Sequence, residues 1–537
     1  MKLNNADLQN KAVWEKAGFL LPQFDRDAMI RATGERPQWV HFGAGNIFRA
    51  FPAALQQTLL EQGIEQTGII VAEGYDGEII DRAFLPYDNL SLAVTLKADG
   101  TIEKRVIASI ARALRLDTRE DFEALRGIFR SPSLQMVSFT ITEKGYSLQG
   151  RGGLFPEVEA DFQEGPGSPK SYLGRLAALC YERYRAGKLP LALVSMDNCS
   201  HNGDKLFRGV EPFAVQWVEK GLADQGFLAY IRDPAQVSFP WSMIDKITPR
   251  PDEGVRKMLE ALGFTDTAGQ VTAKNTYIAP FVNAEEAQYL VIEDAFPAGR
   301  PALERAGVLF TDRDTVNRVE KMKVCTCLNP LHTALAVFGC LLGYTKISEE
   351  MKDPDLVKLV EQIGYGEGLP VVVDPGILSP KQFIDEVLRV RFPNPFMPDT
   401  PQRIATDTSQ KISIRFGETI KAYLADPTRT VGDLKLIPLV LAAWLRYLRG
   451  LDDQGAAFTV SPDPLYETLY PAVADISLGQ KGPFHQRLEP ILSNPAIFGV
   501  NLYEAGLGEQ VETYFEQLFA GPGAVRSTLI GALASVI

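Results

Sequence analysis

A short apolar segment, Gln38-Trp39-Val40-His41-Phe42, runs straight into Gly43-Ala44-Gly45-Asn46-Ile47-Phe48-Arg49 and then into a segment carrying Leu55, Leu59 and Leu60 at helical spacing. Strand, glycine turn and helix in immediate succession leave few folds open, because the helix must pack back onto its own strand. Gly43 can supply the unusual dihedrals of such a turn. Gly45 lets the main chain approach a pyrophosphate at the helix N-terminus formed by Asn46, Ile47 and Phe48. Phe48 stands where the usual pattern has a third glycine, and the motif taken alone fits a simple turn equally well.

The neighbouring segments favour the pyrophosphate site. A second strand candidate, Gly68-Ile69-Ile70-Val71-Ala72, ends at Glu73, near the position at which an acid accepts hydrogen bonds from an adenosine ribose; Asp76 is the other candidate. An acid there favours NAD over NADP, whose 2'-phosphate it would repel, although Glu73 could also merely cap a strand in solvent. Met136 to Thr142 and Leu191 to Met196 read as further strands, separated by helical patterns such as Tyr172 to Arg185. Strands alternating with helices predict an α/β, Rossmann-type doubly wound sheet. Ligands of such sheets bind beyond the carboxyl ends of the strands. Thr142-Glu143-Lys144-Gly145-Tyr146 and Asp197-Asn198-Cys199-Ser200-His201-Asn202-Gly203 would lie there.

Bulk properties narrow the function. A net charge of -12 over 537 residues and a pI near 5.1 disfavour nucleic-acid binding, which relies on clustered Lys and Arg. A small-molecule partner fits better. No uninterrupted apolar run approaches the roughly 18 residues a membrane helix needs, and Leu439 to Leu445 reads as a buried helix. Met1 to Asp7 lacks the basic start and apolar centre of a secretion signal, so no membrane partner and a cytoplasmic location are expected. The five cysteines are too few for a disulfide framework. Cys325 and Cys327 invite a zinc reading, but the four histidines are scattered, so no metal is expected.

Six ordered segments together resemble one family, the polyol-specific long-chain (mannitol dehydrogenase-like) dehydrogenases. They are Gly43 to Phe51; Thr142-Glu143-Lys144-Gly145-Tyr146; Met196-Asp197-Asn198; Phe239 to Pro249; Val291 to Pro301; and Glu320-Lys321-Met322-Lys323 leading to Asn329-Pro330-Leu331-His332. The similarity runs from about Trp39 to about Arg415. It implies a Rossmann-type NAD-binding domain over 1–310, a mostly α-helical substrate-binding domain over 311–537, and a cleft between them. It also implies metal-independent hydride transfer between a secondary alcohol carbon and the nicotinamide.

In this family a lysine is the general base in oxidation and the acid in reduction, a role that asks for a depressed pKa. The resemblance assigns it to Lys323, with Glu320 on the proton path. It makes Asn329 a donor to the substrate oxygen, His332 an orienting group and Asn198 a second amide donor. Asp245 would meet substrate hydroxyls, and Arg403 with Lys411 would hold the distal end. One departure stands out: the family pattern has four residues between Lys and Asn, and this chain has five. On an uninterrupted helix the extra residue would turn Lys323 by about 100°. A single-turn bulge could absorb it, and Pro330 disfavours helix at Asn329. An ungapped alignment would instead put Val324 at the lysine position and leave no base.

The chain length and the Cys-Thr-Cys-Leu-Asn-Pro-Leu-His segment look most like the long fructuronate reductase-like members. The resemblance therefore implies reduction of D-fructuronate by NADH to D-mannonate. Mannitol or another polyol is the alternative substrate, and a non-catalytic NAD-binding protein is the alternative of another class. A sugar-phosphate substrate would want a cluster of Lys and Arg that the sequence does not show. From Pro427 onward, helical patterns such as Glu509 to Leu518 carry no chemical motif, and Gly450 to Gly455 reads as a solvated loop.

Overall fold

The computed structural model describes residues 1–536. The chain divides into two compact units, Met1–Leu96 with Thr101–Asn317, and Lys97–Gly100 with the chain from Arg318 onward.

The first unit is built on a six-stranded parallel sheet whose strands, in chain order, are β1 (Trp39–Phe42), β2 (Ile69–Glu73), β3 (Ile110–Arg115), β4 (Met136–Phe139), β5 (Leu191–Ser195) and β6 (Val237–Ser238). Their spatial order is β6-β5-β4-β1-β2-β3, and every pairing is parallel. The order reverses beside β1, which places the switch point of a doubly wound sheet at the glycine turn after that strand. Alternation along the strands explains why both faces are covered. Val40, Phe42, Ile70, Ala72, Val137 and Phe139 enter one core. Trp39, Ile69, Val71 and Met136 enter the other, so strands buried on both sides read as nearly continuous apolar runs.

Helices α1 (Asn46–Ala50) and α2 (Pro52–Glu61) come after β1, and α3 (Tyr172–Arg185) starts at Ser171, whose side chain accepts from the Gly174 N–H. The strand and helix expectations fall on these elements, with Tyr172–Arg185 matching at both ends. Smaller sheets, which the sequence pattern does not reveal, complete the unit: Phe19–Leu20, Ile102–Ile107, Ser91–Leu96 and Phe281–Glu285 form one, Ser242–Asp245, Tyr289–Glu293 and Leu309–Thr311 another, and Gln149–Gly150 with Gly153–Leu154 and Gln270–Val271 with Tyr277–Ile278 are two-stranded.

The second unit is helical. Its chain enters on α4 (Arg313–Met322), and helices α5 (Asn329–Leu342) and α6 (Leu436–Tyr447) are buried almost all round and pack on each other, as helices without a polar face must. Helix α7 (Gly508–Leu518) packs on α6. The buried Glu367 carboxylate accepts the N–H groups of Lys435, Leu436 and Ile437 at 2.6, 2.6 and 2.8 Å, closing the start of α6. Together α4 and α5 belong to a 30-residue helical run long and apolar enough by composition to cross a membrane. In that run, 72% of the most apolar window is buried in the protein, the condition of a core helix. The sequence pattern conceals this run because charged residues punctuate it.

Four segments of the second unit are π-helical among the described residues: Lys323–Cys327, Gln362–Gly368, Val387–Arg391 and Ser413–Gly417. Such turns carry one extra residue and concentrate at functional sites.

Candidate active site

In the first unit the turn after β1 requires glycine. Gly43 has φ of 105°, and a Cβ there would stand 2.3 Å from the Thr140 carbonyl oxygen. Around the Cβ position of Gly45 there is nothing within 4 Å, and no side chain caps the helix that begins at Asn46. The N–H groups of Asn46, Ile47 and Phe48 therefore have no side-chain cap. A cavity of about 540 Å³ lies beside the turn, bordered by Gly43, Gly45, Glu73, Tyr75, Thr142 and Lys144. Tyr172 also borders it, and its hydroxyl is buried without a hydrogen-bond partner. Burial holds that phenol well above its ordinary pKa of 10, so it remains a donor. An uncapped helix start after a glycine turn and an orphaned hydroxyl at the cavity fit a dinucleotide with its pyrophosphate at the turn.

Two expectations need correction here. Asp76 is 2% exposed, accepts the Thr272 hydroxyl at 2.6 Å and does not border the cavity; of the two candidate acids only Glu73 does. Glu73 itself is heavily engaged. Its Oε2 accepts from the Ala44 N–H at 2.8 Å and its Oε1 from those of Tyr75 and Asp76 at 2.7 and 3.0 Å, so the carboxylate braces the glycine turn. Phe48 is fully buried, with its ring stacked on His41 at 4.3 Å, and does not border the cavity.

The motifs at the ends of β4 and β5 are tied together. Asp197 accepts from the N–H groups of Ile141 and Thr142, each at 2.9 Å, and from the Tyr146 hydroxyl at 2.5 Å. These bonds hold Thr142 at φ 64°, a strained conformation of the sort found at functional loops. Desolvation raises the Asp197 pKa, against the opposing effect of the Tyr146 and backbone bonds. Asn198 comes next, in the exposed loop, and Asp245 ends its strand in a buried position.

In the second unit, Lys323 opens a π-helical turn and is 4% exposed. The Leu328 N–H donates to the Lys323 carbonyl at 3.1 Å, a bond that spans five residues instead of four, after which α5 starts at Asn329 with Pro330 in its first turn. A π turn takes up one residue without advancing the helix phase. The segment between Lys323 and Asn329 therefore holds one residue more than a regular helical turn would. Glu320 is half-buried one turn earlier on the same helical run.

His332 lies one turn into α5. Its Nε2 has no hydrogen-bond partner and stands 3.6 Å from Asp399 Oδ2. Burial, opposed by Asp399, lowers its pKa to about 4, with the guanidiniums of Arg415, Arg391 and Arg403 adding to the depression. Its ring is neutral at pH 7. Arg403 is mostly exposed and forms an ion pair with Asp399, and Lys411 Nζ donates to the Thr406 carbonyl at 2.6 Å. The fold thus gathers His332, Asp399 and Arg403 into one neighbourhood. Asp399, Arg391 and Arg415 have no role among the residues the motifs singled out; the only available signal was the i, i+4 spacing of Lys411 and Arg415, which puts two cations on one helical face. Cys325 and Cys327 lie in the π turn, with the Cys327 Sγ donating to the Pro380 carbonyl at 3.8 Å. No group of three or more His, Cys, Asp or Glu placed to hold a metal ion occurs among the described residues.

Comparison with known proteins converges on one family. Residues 37–305 match the family model of the mannitol dehydrogenase Rossmann domain, and residues 315–519 that of the mannitol dehydrogenase C-terminal domain. A D-mannonate oxidoreductase of Thermotoga maritima is 55% identical over 533 residues, covering 98% of each chain. A crystal structure of D-sorbitol dehydrogenase is similar at a TM-score of 0.78 and 26% identity, covering 95% of this chain and 97% of that one. The mannitol 2-dehydrogenase of Pseudomonas fluorescens, solved with NAD and D-mannitol, is similar at a TM-score of 0.67 and 28% identity, covering 100% and 99%. With two family models spanning both units and a relative matched over nearly its whole length, this chain belongs to the mannitol dehydrogenase family.

Proposed function

We propose that the protein is an NAD-dependent oxidoreductase that interconverts D-fructuronate and D-mannonate. The observation that carries this reading is the 55% identity, over 98% of both chains, to a protein named D-mannonate oxidoreductase. Bound at the glycine turn, the nicotinamide cofactor supplies or accepts the hydride. The residues of this chain do the remaining work. The N–H groups of Asn46, Ile47 and Phe48 hold the pyrophosphate, and Glu73 keeps Ala44 and Tyr75 in position for it.

Lys323 donates a proton to the carbonyl oxygen in reduction and removes it in oxidation, with Glu320 on the route to solvent. Asn329 donates to the same oxygen as negative charge grows on it. The unpartnered Nε2 of neutral His332 supports an orienting role, and a ring held neutral at pH 7 is a poor proton donor, which leaves the proton to the lysine. The family resemblance also assigns Asn198, Asp245, Arg403 and Lys411 to the substrate. We place the enzyme in the cytoplasm, acting on a small sugar acid, with neither nucleic acid nor membrane as partner.

A second reading has its own support. Relatives at 29–33% identity are named mannitol 2-dehydrogenase, so a neutral polyol is the alternative substrate. A non-catalytic NAD-binding role loses its main argument, because the π turn absorbs the residue that would have misdirected Lys323. Purified protein assayed by NADH absorbance against fructuronate, tagaturonate, fructose and mannitol tests the assignment. Fructuronate is expected to give the highest kcat/KM; a preference for fructose or mannitol would replace it with the polyol reading.

A further inference from the structure

The two cations assigned to the distal end of the substrate are both occupied. Arg403 is exposed and neutralised by Asp399, and Lys411 is held by the Thr406 carbonyl. Arg415 differs from both. It sits in the π turn Ser413–Gly417, which packs against the turn Lys323–Cys327 and against α5. Its Nη1 donates to the Thr333 hydroxyl at 2.6 Å, and that hydroxyl donates to the Asn329 carbonyl at 2.9 Å. Two hydrogen bonds therefore fix the guanidinium to the helical turn that bears Asn329 and His332.

A guanidinium carries five N–H donors in a planar fork, and Thr333 takes one of them. No carboxylate among the described residues pairs with the rest, and desolvation with no acid to offset it lowers the pKa of Arg415 to about 10. It stays charged at neutral pH. A desolvated cation without a counter-ion is unfavourable in any fold, and an arriving anion relieves the cost where a neutral hydroxyl does not. The fork suits a carboxylate, which it can engage through two parallel bonds.

We propose that Arg415 is the residue that binds the carboxylate of the hexulosonate substrate and so separates sugar acids from neutral ketoses and polyols; the inference rests on the proposed function and names its specificity determinant. Lys411, one helical turn earlier, adds positive charge at the same place. Arg403 contributes little, because an exposed ion pair is screened and already satisfied.

The test compares kcat/KM for fructuronate and fructose, and D-mannonate binding to the NAD-loaded enzyme, in wild type, Arg415→Gln and Arg415→Lys. The ratio of fructuronate to fructose kcat/KM should fall about 100-fold or more in Arg415→Gln, chiefly through KM, as expected when a buried charge partner is removed. D-Mannonate affinity should fall by a similar factor. Arg415→Lys should lie between, since it keeps the charge and loses the fork. NADH affinity and melting temperature report on folding; should the glutamine variant fail to fold, the lysine variant must still show the shifted ratio and weakened D-mannonate binding. An unchanged ratio, or parallel loss on both substrates, overturns the role of Arg415 while leaving the fructuronate assignment in place. A wild-type enzyme that reduces fructose and ignores fructuronate overturns that assignment and this inference with it.

Discussion

The glycine turn after β1 and the start of α5 both prepare a site, but they use opposite means. The turn is built of main chain: Gly43 must be glycine, no side chain caps the helix that begins at Asn46, and Glu73 ties the loop with three backbone hydrogen bonds. The region around α5 is built of side chains, and their directions depend on a π turn that displaces Lys323 relative to a regular helix. Where a ligand is recognised by its phosphates, backbone geometry suffices and tolerates little change. Where a proton must reach one oxygen, the fold has to aim individual groups, and a helix irregularity is a compact way to do so.

The sharpest way to break this contrast is Lys323→Ala. Turnover should fall by about 1,000-fold or more while NADH affinity, measured by fluorescence titration, stays near normal. Near-normal activity in that variant would remove the lysine from the mechanism. Gly43→Ala should do the converse. A methyl group at φ 105° and 2.3 Å from the Thr140 oxygen must shift the turn, so the NADH dissociation constant should rise about 100-fold. Unaltered NADH binding would show that the turn does not carry the cofactor.

The smallest effect concerns stability, and here the two regions should respond to pH in opposite directions. His41 is buried between the Ser138 and Thr140 hydroxyls at 2.6 and 2.8 Å, and burial lowers its pKa to about 3. The unfolded chain binds that proton first, so stability present above about pH 6.5 is lost as the pH falls from there towards 3. Glu350 is buried in the second unit with neither oxygen hydrogen-bonded, and its pKa rises to about 9. The unfolded chain releases that proton first, so stability present below about pH 4.5 is lost as the pH rises towards 9. Each slope is at most about 1.4 kcal/mol per pH unit. Urea unfolding across pH should show His41→Asn flattening the acid limb and Glu350→Gln the alkaline limb; identical profiles in variant and wild type would contradict both.

The first unit was largely readable from its residues. Apolar runs at β1, β2, β4 and β5 and the amphipathic pattern of α3 are local signals, and the glycines of the turn report a backbone need that any neighbour would impose. The choice between Glu73 and Asp76 was not readable, because both stand at the right distance from the turn and only the bond from Thr272 withdraws Asp76. The smaller sheets escaped notice: Ser91–Leu96 and Ile102–Ile107 form a local hairpin that went unread, while Phe19–Leu20, Phe281–Glu285 and Ser242–Asp245 pair with partners far along the chain. In the second unit the lysine, asparagine and histidine were recognisable as a motif. Arg415 was not, since nothing in its flanking residues says that it lacks an acid.

By itself, the sequence determined the order of strands and helices, the need for glycine at position 43 and the family to which the chain belongs, because each depends on residues close together or on ordered motifs. Tertiary structure decided the rest. It set which of two acids borders the cavity beside the glycine turn, the π turn between Lys323 and Asn329, and the lack of a carboxylate partner at Arg415. Those outcomes depend on burial and on partners distant in the chain, and charge compensation can be judged only once such partners have been brought into contact.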